Sequence, residues 1–117
     1  MNARSLRQDF LGKASDEILN GLRVAIVGLG GGGSHIAQQL AHIGVRQFVL
    51  FDPDQIEESN LNRLVGGTVA DVRNKEWKVQ ISSRIIRAVK PEAKVIAVKT
   101  QWQARADLLR DSDVLFG

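Results

Sequence analysis

A glycine-rich turn between an apolar run and a helical pattern constrains the fold of this chain more than any other feature. Residues 24–27 read Val-Ala-Ile-Val, a mostly β-branched run typical of a buried strand, and five of the six positions in 28–33 are glycine. Gly28, Gly30 and Gly33 fit the pattern G-x-G-x-x-G, which permits a tight turn, admits a phosphate to the backbone and lets helix and strand pack closely. The pattern therefore predicts a strand, a turn and a helix whose free N–H groups face a phosphate.

An acidic residue follows the next apolar run. Residues 47–51 read Gln-Phe-Val-Leu-Phe, and Asp52 comes directly after them, about twenty residues beyond the glycine turn. A carboxylate at this place accepts hydrogen bonds from the ribose hydroxyls of a nucleotide. The alternative is that Asp52 merely ends a strand, but its position after the turn favours ribose binding.

Strand and helix patterns alternate along the rest of the chain. We expect strands over residues 22–27, 46–51, 94–99 and 113–116. We expect helices over residues 15–21, from the glycine turn to Gly44, over 75–89 and over 104–110. This alternation predicts an α/β fold, a Rossmann-like doubly wound parallel sheet with helices on both faces and with the fourth strand beside the first.

The same pattern divides the chain. Residues 1–21 are expected to form an N-terminal arm and a short helix, and residues 22–117 a nucleotide-binding domain. Because a domain seldom ends on its central strand, we expect this sequence to be the N-terminal part of a longer protein, truncated after the start of the fourth strand.

Composition excludes several classes of function. A chain of 117 residues, 44% of them hydrophobic, suits one globular domain. The net charge is +3 but the basic residues are spread along the chain, so nucleic-acid binding is not expected from charge alone. There is no cysteine, which removes thiolate metal sites and cysteine nucleophiles from these residues. No signal-peptide core or membrane-spanning run is present, so we expect a cytoplasmic protein without a membrane partner.

The two histidines do not predict a metal site. His35 and His42 stand seven positions apart, which does not match the i, i+4 spacing of a paired metal site on a helix. We interpret both as ordinary exposed or half-buried residues and predict no metal ligand from them.

Four short motifs together resemble one enzyme family. They are residues 28–34, the Asp52-Pro53-Asp54 run, the Ser-Asn-Leu-Asn-Arg run at 59–63 and Lys78-Val79. These residues resemble the ThiF, MoeB and HesA adenylyltransferases, relatives of the ubiquitin-activating enzymes, and the likeness extends from about Arg4 to Phe116. The run at 59–63 is the most specific of the four, because nicotinamide dehydrogenases do not share it.

The resemblance implies ATP, not NAD, at the glycine turn. It implies an enzyme that activates a carboxylate, commonly the C-terminal glycine of a ubiquitin-like or sulfur-carrier protein, as an acyl-adenylate with release of pyrophosphate. It also implies a homodimer, and in a related branch of the family a tRNA-linked carboxylate as substrate. The nucleotide-binding residues that it implies are Gly28, Gly30, Gly31, Gly33, Asp52, Asp54, Asn60, Arg63 and Lys78.

Three of the residues carried over by the resemblance would be catalytic. Arg63 and Lys78 would neutralise phosphate charge, and Arg7, in a run similar to the family's N-terminal Arg-x-x-Arg-Gln, would reach into the partner subunit's site. Cations suit this chemistry, because a carboxylate is repelled by phosphate until the charge is neutralised, and because they stabilise the charge on the leaving pyrophosphate. No general base is needed, since a carboxylate is already ionised near pH 7.

Other interpretations stay open. Asn60 and Arg63 could form an exposed helical turn, and Lys75 rivals Lys78 for the phosphate contact. The resemblance places the main Mg²⁺ ligand, the catalytic cysteine and any zinc pair beyond Gly117, so we expect little or no ATP–pyrophosphate exchange from these residues alone. The rival functions are a nicotinamide-dependent dehydrogenase, which leaves Asn60, Arg63 and Lys78 without a role, and a non-catalytic dimerisation or binding module.

Overall fold

In the computed structural model, which describes residues 16–117, the strands form one parallel sheet. The strands are β1 (Arg23–Val27), β2 (Gln47–Phe51), β3 (Lys94–Val98) and β4 (Val114–Phe116). Their order is β3-β2-β1-β4, with β1 parallel to both β2 and β4. The prediction of a Rossmann-like α/β sheet with the fourth strand beside the first is confirmed. Because all the strands are parallel, their carboxyl ends share one edge of the sheet.

Five α-helices accompany these strands within the described residues. They are α1 over 16–21, α2 (Gly31–Ile43), α3 (Val69–Arg73), α4 (Lys78–Val89) and α5 (Ala106–Arg110), with 3₁₀ turns at Glu58–Asn60 and Trp102–Arg105. The expected arm over residues 1–15, including Arg7, lies outside the described residues.

The sheet is covered on both faces. On one face the side chains of Val24, Ile26, Phe48 and Leu50 pack with α2 and α4. On the other, residues from β1, β2 and β3 pack with Leu108 of α5. Alternate residues of each strand point to opposite faces, so a strand buried on both faces reads as a continuous apolar run. This explains why all the residues in 24–27 and 48–51 are apolar.

Helix α2 lies close to the sheet because its contact residues are small. Ala37 and Ala41 are buried, and Gly44 ends the helix in a left-handed conformation with φ of 116°, as the sequence predicts. The helical spacing of Ile36, Leu40 and Ile43 with Ala37 and Ala41 predicts one buried apolar stripe, but the Ile43 side chain is 59% exposed. That placement is wrong, because Ile43 stands two positions after the buried Ala41 and therefore lies about 200° around the helix from it.

The expected helix over residues 75–89 begins later than predicted. α4 starts at Lys78, and the short helix α3 precedes it. Lys75 has a positive φ of 52°, which ends helical geometry between the two helices. The helix expected over 104–110 likewise begins as a 3₁₀ turn and becomes α-helical only at Ala106.

An ion pair anchors α3 to α4. Both carboxylate oxygens of Asp71 accept hydrogen bonds from the Arg84 guanidinium, at 3.0 and 2.7 Å, and Arg84 also donates to the Gly66 carbonyl at 2.9 Å. Asp71 and Thr68 form a reciprocal capping box at the start of α3. The Arg84 guanidinium lowers the pKa of the buried Asp71 carboxyl to about 2. Arg84 thus connects α4 both to the start of α3 and to the loop at Gly66.

A matched pair of glycine substitutions tests the close approach of α2 to the turn. A Cβ on Gly33 would overlap the Gly28 carbonyl, whereas a Cβ on Gly32 would meet nothing within 4 Å. We expect Gly33→Ala to lower the free energy of unfolding by about 3 kcal/mol or more. Gly32→Ala should be neutral or raise it by roughly 0.5 kcal/mol, because alanine favours the helix. Urea denaturation measures both, and equal stability of the two variants would contradict the tight contact between Gly33 and the turn.

The Asp71 ion pair should make stability depend on pH. The pKa of this carboxyl is lower in the folded than in the unfolded chain, so the pair stabilises the fold above about pH 4 and this contribution is lost as pH falls towards 2. Because Arg84 is half exposed, we expect Asp71→Asn to cost only about 1–2 kcal/mol at pH 7 and almost nothing at pH 2. Asp107→Asn, which breaks an exposed pair with Arg105, is the control. A loss for Asp71→Asn that is the same at both pH values would refute the ion-pair origin.

Candidate functional site

The glycine turn forms an open cradle at the carboxyl edge of the sheet. Gly28 has φ of +86°, and its N–H donates to the Phe51 carbonyl at 2.8 Å, which ties the turn to β2. Gly30 occupies the N-cap position of α2, where no side chain caps the helix and no acidic residue lies in the first turn. Uncapped amides at a helix start carry partial positive charge and bind anions.

A cavity of about 410 Å³ lies directly beside this turn. Its residues include Gly28, Gly30, Gly32 and Gly33 from the turn, together with Phe116 of β4. A Cβ on Gly28, Gly30 or Gly32 would meet no atom within 4 Å, so the absent side chains leave open space. The cradle can thus admit a phosphate to the backbone.

Asp52 connects the glycine turn to the segment that follows β2. Its carboxylate is buried and accepts a hydrogen bond from the Leu29 N–H at 2.7 Å and another from the Asp54 N–H at 2.8 Å. Each carboxylate oxygen has a second lone pair, so a hydroxyl could still donate to it. Asp52 therefore holds the turn in place, and the role in ribose binding stays a prediction.

Arg63 lies at the start of α2. A Cβ added to Gly31 would come within 3.5 Å of the Arg63 Cβ, so the two backbones are close. The hydroxyl of Ser34, in the first turn of α2, accepts from the Val65 N–H at 3.1 Å and holds the 63–65 segment against the helix. Within residues 16–117 the exposed Arg63 guanidinium makes no hydrogen bond or ion pair. The Arg63 backbone and Cβ therefore lie beside the first residue of α2, with a guanidinium that these residues do not bind.

Asp54, Asn60 and Lys78 line a second cavity at the same edge, of about 520 Å³. A short antiparallel backbone connection forms part of its wall, where Gln55 pairs with Trp77 in an isolated bridge. The Ile56 N–H donates to the backbone carbonyl of Glu76, and the Lys78 N–H donates to the backbone carbonyl of Asp54. The Lys78 side chain is 12% exposed, and its Nζ lies 3.9 Å from a carboxylate oxygen of the more exposed Asp54. The start of α4 is therefore tied to the segment after β2.

The side chain of Asn60 has a local structural role. Its Oδ1 accepts from the Glu57 N–H at 2.9 Å and caps the 3₁₀ turn. This leaves the amide NH₂, with two donor hydrogens, available to a ligand. The interpretation of this stretch as an exposed helical turn and its interpretation as a binding segment are therefore compatible.

The structure brings most of the expected site residues to one edge of the sheet. The glycines and Arg63 surround the start of α2, Asp54, Asn60 and Lys78 line the second cavity, and Asp52 connects the two groups. Arg7 lies outside the described residues. Both histidines are exposed, as expected.

Two kinds of feature are absent from the part of the chain that the structure describes. No group of three or more His, Cys, Asp or Glu side chains in residues 16–117 is arranged to hold a metal ion. In the same range, no helix has the length and apolar character needed to cross a membrane.

Two residues of this region are not predicted by the sequence patterns. The hydroxyl of Ser34 holds the 63–65 segment, and the only sequence signal for this contact is that Ser34 directly follows the glycine run. Trp77 precedes α4 and pairs with Gln55, but an isolated bridge between distant positions leaves no periodic pattern in the sequence.

Comparisons with known proteins agree with this architecture. The model of the ThiF family matches residues 2–117. The tRNA threonylcarbamoyladenosine dehydratase of Bacillus subtilis (strain 168) is 36% identical over 89 residues, which cover 76% of this chain and 34% of that protein. The SAMP-activating enzyme E1 of Haloferax volcanii is 32% identical over 115 residues, which cover 98% of this chain and 40% of that protein.

A solved structure is also similar. The crystal structure of E. coli MccB with ATP superposes with a TM-score of 0.75 at 29% sequence identity, covering 86% of this chain and 30% of that one. The chain thus spans well under half the length of these relatives. With a family match along almost its whole length and the expected parallel sheet, the chain belongs to the ThiF family.

Proposed function

We propose that this chain is the nucleotide-binding part of an ATP-dependent adenylyltransferase that activates a carboxylate as an acyl-adenylate. The observation that carries the proposal is the position of Arg63, whose backbone packs on Gly31 at the uncapped start of α2. A cation beside a helix start concentrates positive charge where the glycine turn is open. The relatives support the nucleotide, because the MccB structure contains ATP.

The described residues fit ATP. The cradle beside Gly28 and Gly30 has open space where side chains would stand, and the first amides of α2 face no acidic residue in their own turn. The Asp52 carboxylate accepts a hydrogen bond from Leu29 N–H in the glycine turn. The ribose hydroxyls of a nucleotide at this edge would donate to the remaining lone pairs of that carboxylate. The cavity with Asn60 and Lys78 adds space and donors for further phosphate groups.

Each residue then has a defined task. When bound, ATP supplies an α-phosphorus that a carboxylate can attack and pyrophosphate as the leaving group. Arg63 and Lys78 neutralise phosphate charge, which lets an anionic carboxylate approach and stabilises the departing pyrophosphate. Asn60 donates through its amide, and Asp52 holds the ribose and the turn together. Arg7 would complete the partner subunit's site in a homodimer.

Mg²⁺ and the carboxylate substrate belong to the same proposal. We expect Mg²⁺ to accompany ATP and Asp54 to lie near it. The substrate class that we favour is the C-terminal glycine of a ubiquitin-like or sulfur-carrier protein, which agrees with the SAMP-activating relative. A tRNA-linked carboxylate is the second candidate, because another relative is a tRNA-modifying dehydratase.

The two rival functions make different demands on the site. A nicotinamide-dependent dehydrogenase would use the glycine turn and Asp52 but gives no task to Arg63 or Lys78. A non-catalytic module would not need the open cradle. Nucleotide binding therefore separates all three.

Calorimetric titration of the 117-residue chain with Mg-ATP and with NAD tests the proposal. We expect ATP to bind more tightly than NAD. Arg63→Gln should weaken ATP binding about tenfold, because a hydrogen bond to a charged group is lost. Arg63 is exposed and makes no ion pair within residues 16–117, so its removal should leave the melting temperature unchanged.

Arg110→Gln is the control, since it removes one exposed charge from α5 on the opposite face of the sheet. Tighter binding of NAD than of ATP would favour the dehydrogenase. Binding of neither nucleotide would favour the non-catalytic module. Equal ATP affinity of Arg63→Gln and Arg110→Gln would remove Arg63 from the site.

A further inference from the structure

Lys75 has a backbone conformation that usually belongs to glycine. It has the only positive φ among the non-glycine residues from 16 to 117, at 52°. It follows the C-cap residue Asn74 of α3, its N–H donates to the Val72 carbonyl at 3.2 Å, and the next N–H, of Glu76, donates to Asp71 at 2.9 Å. These two bonds define a Schellman motif with Lys75 at its left-handed position, where a glycine or asparagine fits with less strain.

Contacts within the fold do not explain a lysine at this position. The Lys75 side chain is exposed, and within residues 16–117 its ammonium takes part in no hydrogen bond or salt bridge. A cation favours a helix C-terminus, but α3 has five residues and Arg73 already occupies its last turn. The fold requires the left-handed conformation but not the lysine, and a strained residue type without a structural reason is typical of functional positions.

Lys75 lies at the cavity where the proposed function places phosphate groups. It lines the 520 Å³ cavity together with Asn60 and Lys78. Asp54 and Glu57 line the same cavity, so the two lysines balance the two carboxylates. Without Lys75 the lining would carry a net negative charge, which repels a polyphosphate. Lys78 is already 3.9 Å from Asp54, whereas Lys75 makes no such pair among the described residues.

We infer that Lys75 is a further phosphate-binding residue, which contacts the terminal phosphates of the nucleotide beside Lys78. This inference rests on the proposed function, since it requires a nucleoside triphosphate at the sheet edge. Both lysines then contact phosphate oxygens: Lys78 from the first turn of α4, and Lys75 from the loop turn that precedes α4. The long, flexible side chain of lysine suits a point contact with phosphate oxygens.

Lys75→Gly separates a ligand-binding role from a structural one. Glycine adopts the left-handed conformation without strain, so the variant should melt at the same temperature as the parent chain or higher. Affinity for ATP and for inorganic pyrophosphate should fall roughly threefold to tenfold, because a charge contact with phosphate is lost. Affinity for AMP should not change. Isothermal titration with each of the three ligands, in Mg²⁺ buffer, measures the effect.

Three further variants serve as controls. Lys75→Asn also tolerates the left-handed conformation and should reproduce the loss of affinity. Lys75→Arg retains the charge and should retain most of the affinity. Lys94→Ala removes one exposed positive charge from the first residue of β3, at the amino end of the sheet, and should have no effect on any of the three ligands.

The outcomes are distinguishable. If the parent chain binds ATP and Lys75→Gly binds it equally well, this inference is wrong and the proposed function stands. If Lys75→Gly loses AMP and ATP affinity in equal proportion, Lys75 acts on the fold and the inference is again wrong. If the parent chain binds no ATP, both proposals fail.

Discussion

The buried carboxylate of Asp52 is the interaction on which the arrangement of the site depends. A buried carboxylate is costly unless hydrogen bonds satisfy it, and here two backbone N–H groups do so, from Leu29 at 2.7 Å and Asp54 at 2.8 Å. The first belongs to the glycine turn and the second to the segment after β2. One side chain at a strand end therefore fixes the starting points of two segments that are far apart in the sequence.

From these two points the chain builds both cavities. The glycine turn continues into α2, whose approach to the sheet depends on Gly33 because a Cβ there would overlap the Gly28 carbonyl. The segment after Asp54 returns to the start of α2 at Arg63, and the Gln55 to Trp77 bridge joins it to the start of α4. Backbone interactions thus hold these segments in place, and the Arg63 side chain makes no hydrogen bond or ion pair within residues 16–117, whereas Asp52, Asn60 and Lys78 each also make a structural contact.

Much of this arrangement could be predicted from the sequence, because the relevant signals are local. A few neighbouring residues are enough to predict each of three features: the strands with β-branched runs, the glycine turn and the strand end at Asp52. The parallel topology follows from the alternation of strands and helices. The predictions failed at Ile43, at the start of the helix predicted over 104–110 and, most of all, between Gly66 and Lys78, where tertiary contacts decide. Even there a local signal was present, since Thr68 and Asp71 match the capping-box pattern that begins α3. The left-handed turn at Lys75 could not be predicted, because its residue type argues against it.

The pairing of Lys78 with Asp54 explains how the site could tolerate a mostly buried lysine side chain before a ligand arrives. The Lys78 side chain is only 12% exposed, and burial of a cationic side chain without a counter-charge is unfavourable. Asp54 supplies that charge from a side chain that is 66% exposed. Because water solvates most of the Asp54 carboxylate, the pair is weak and breaking it costs little on that side. On the proposed function, a phosphate could therefore replace Asp54 as the partner of Lys78 without leaving a desolvated carboxylate behind.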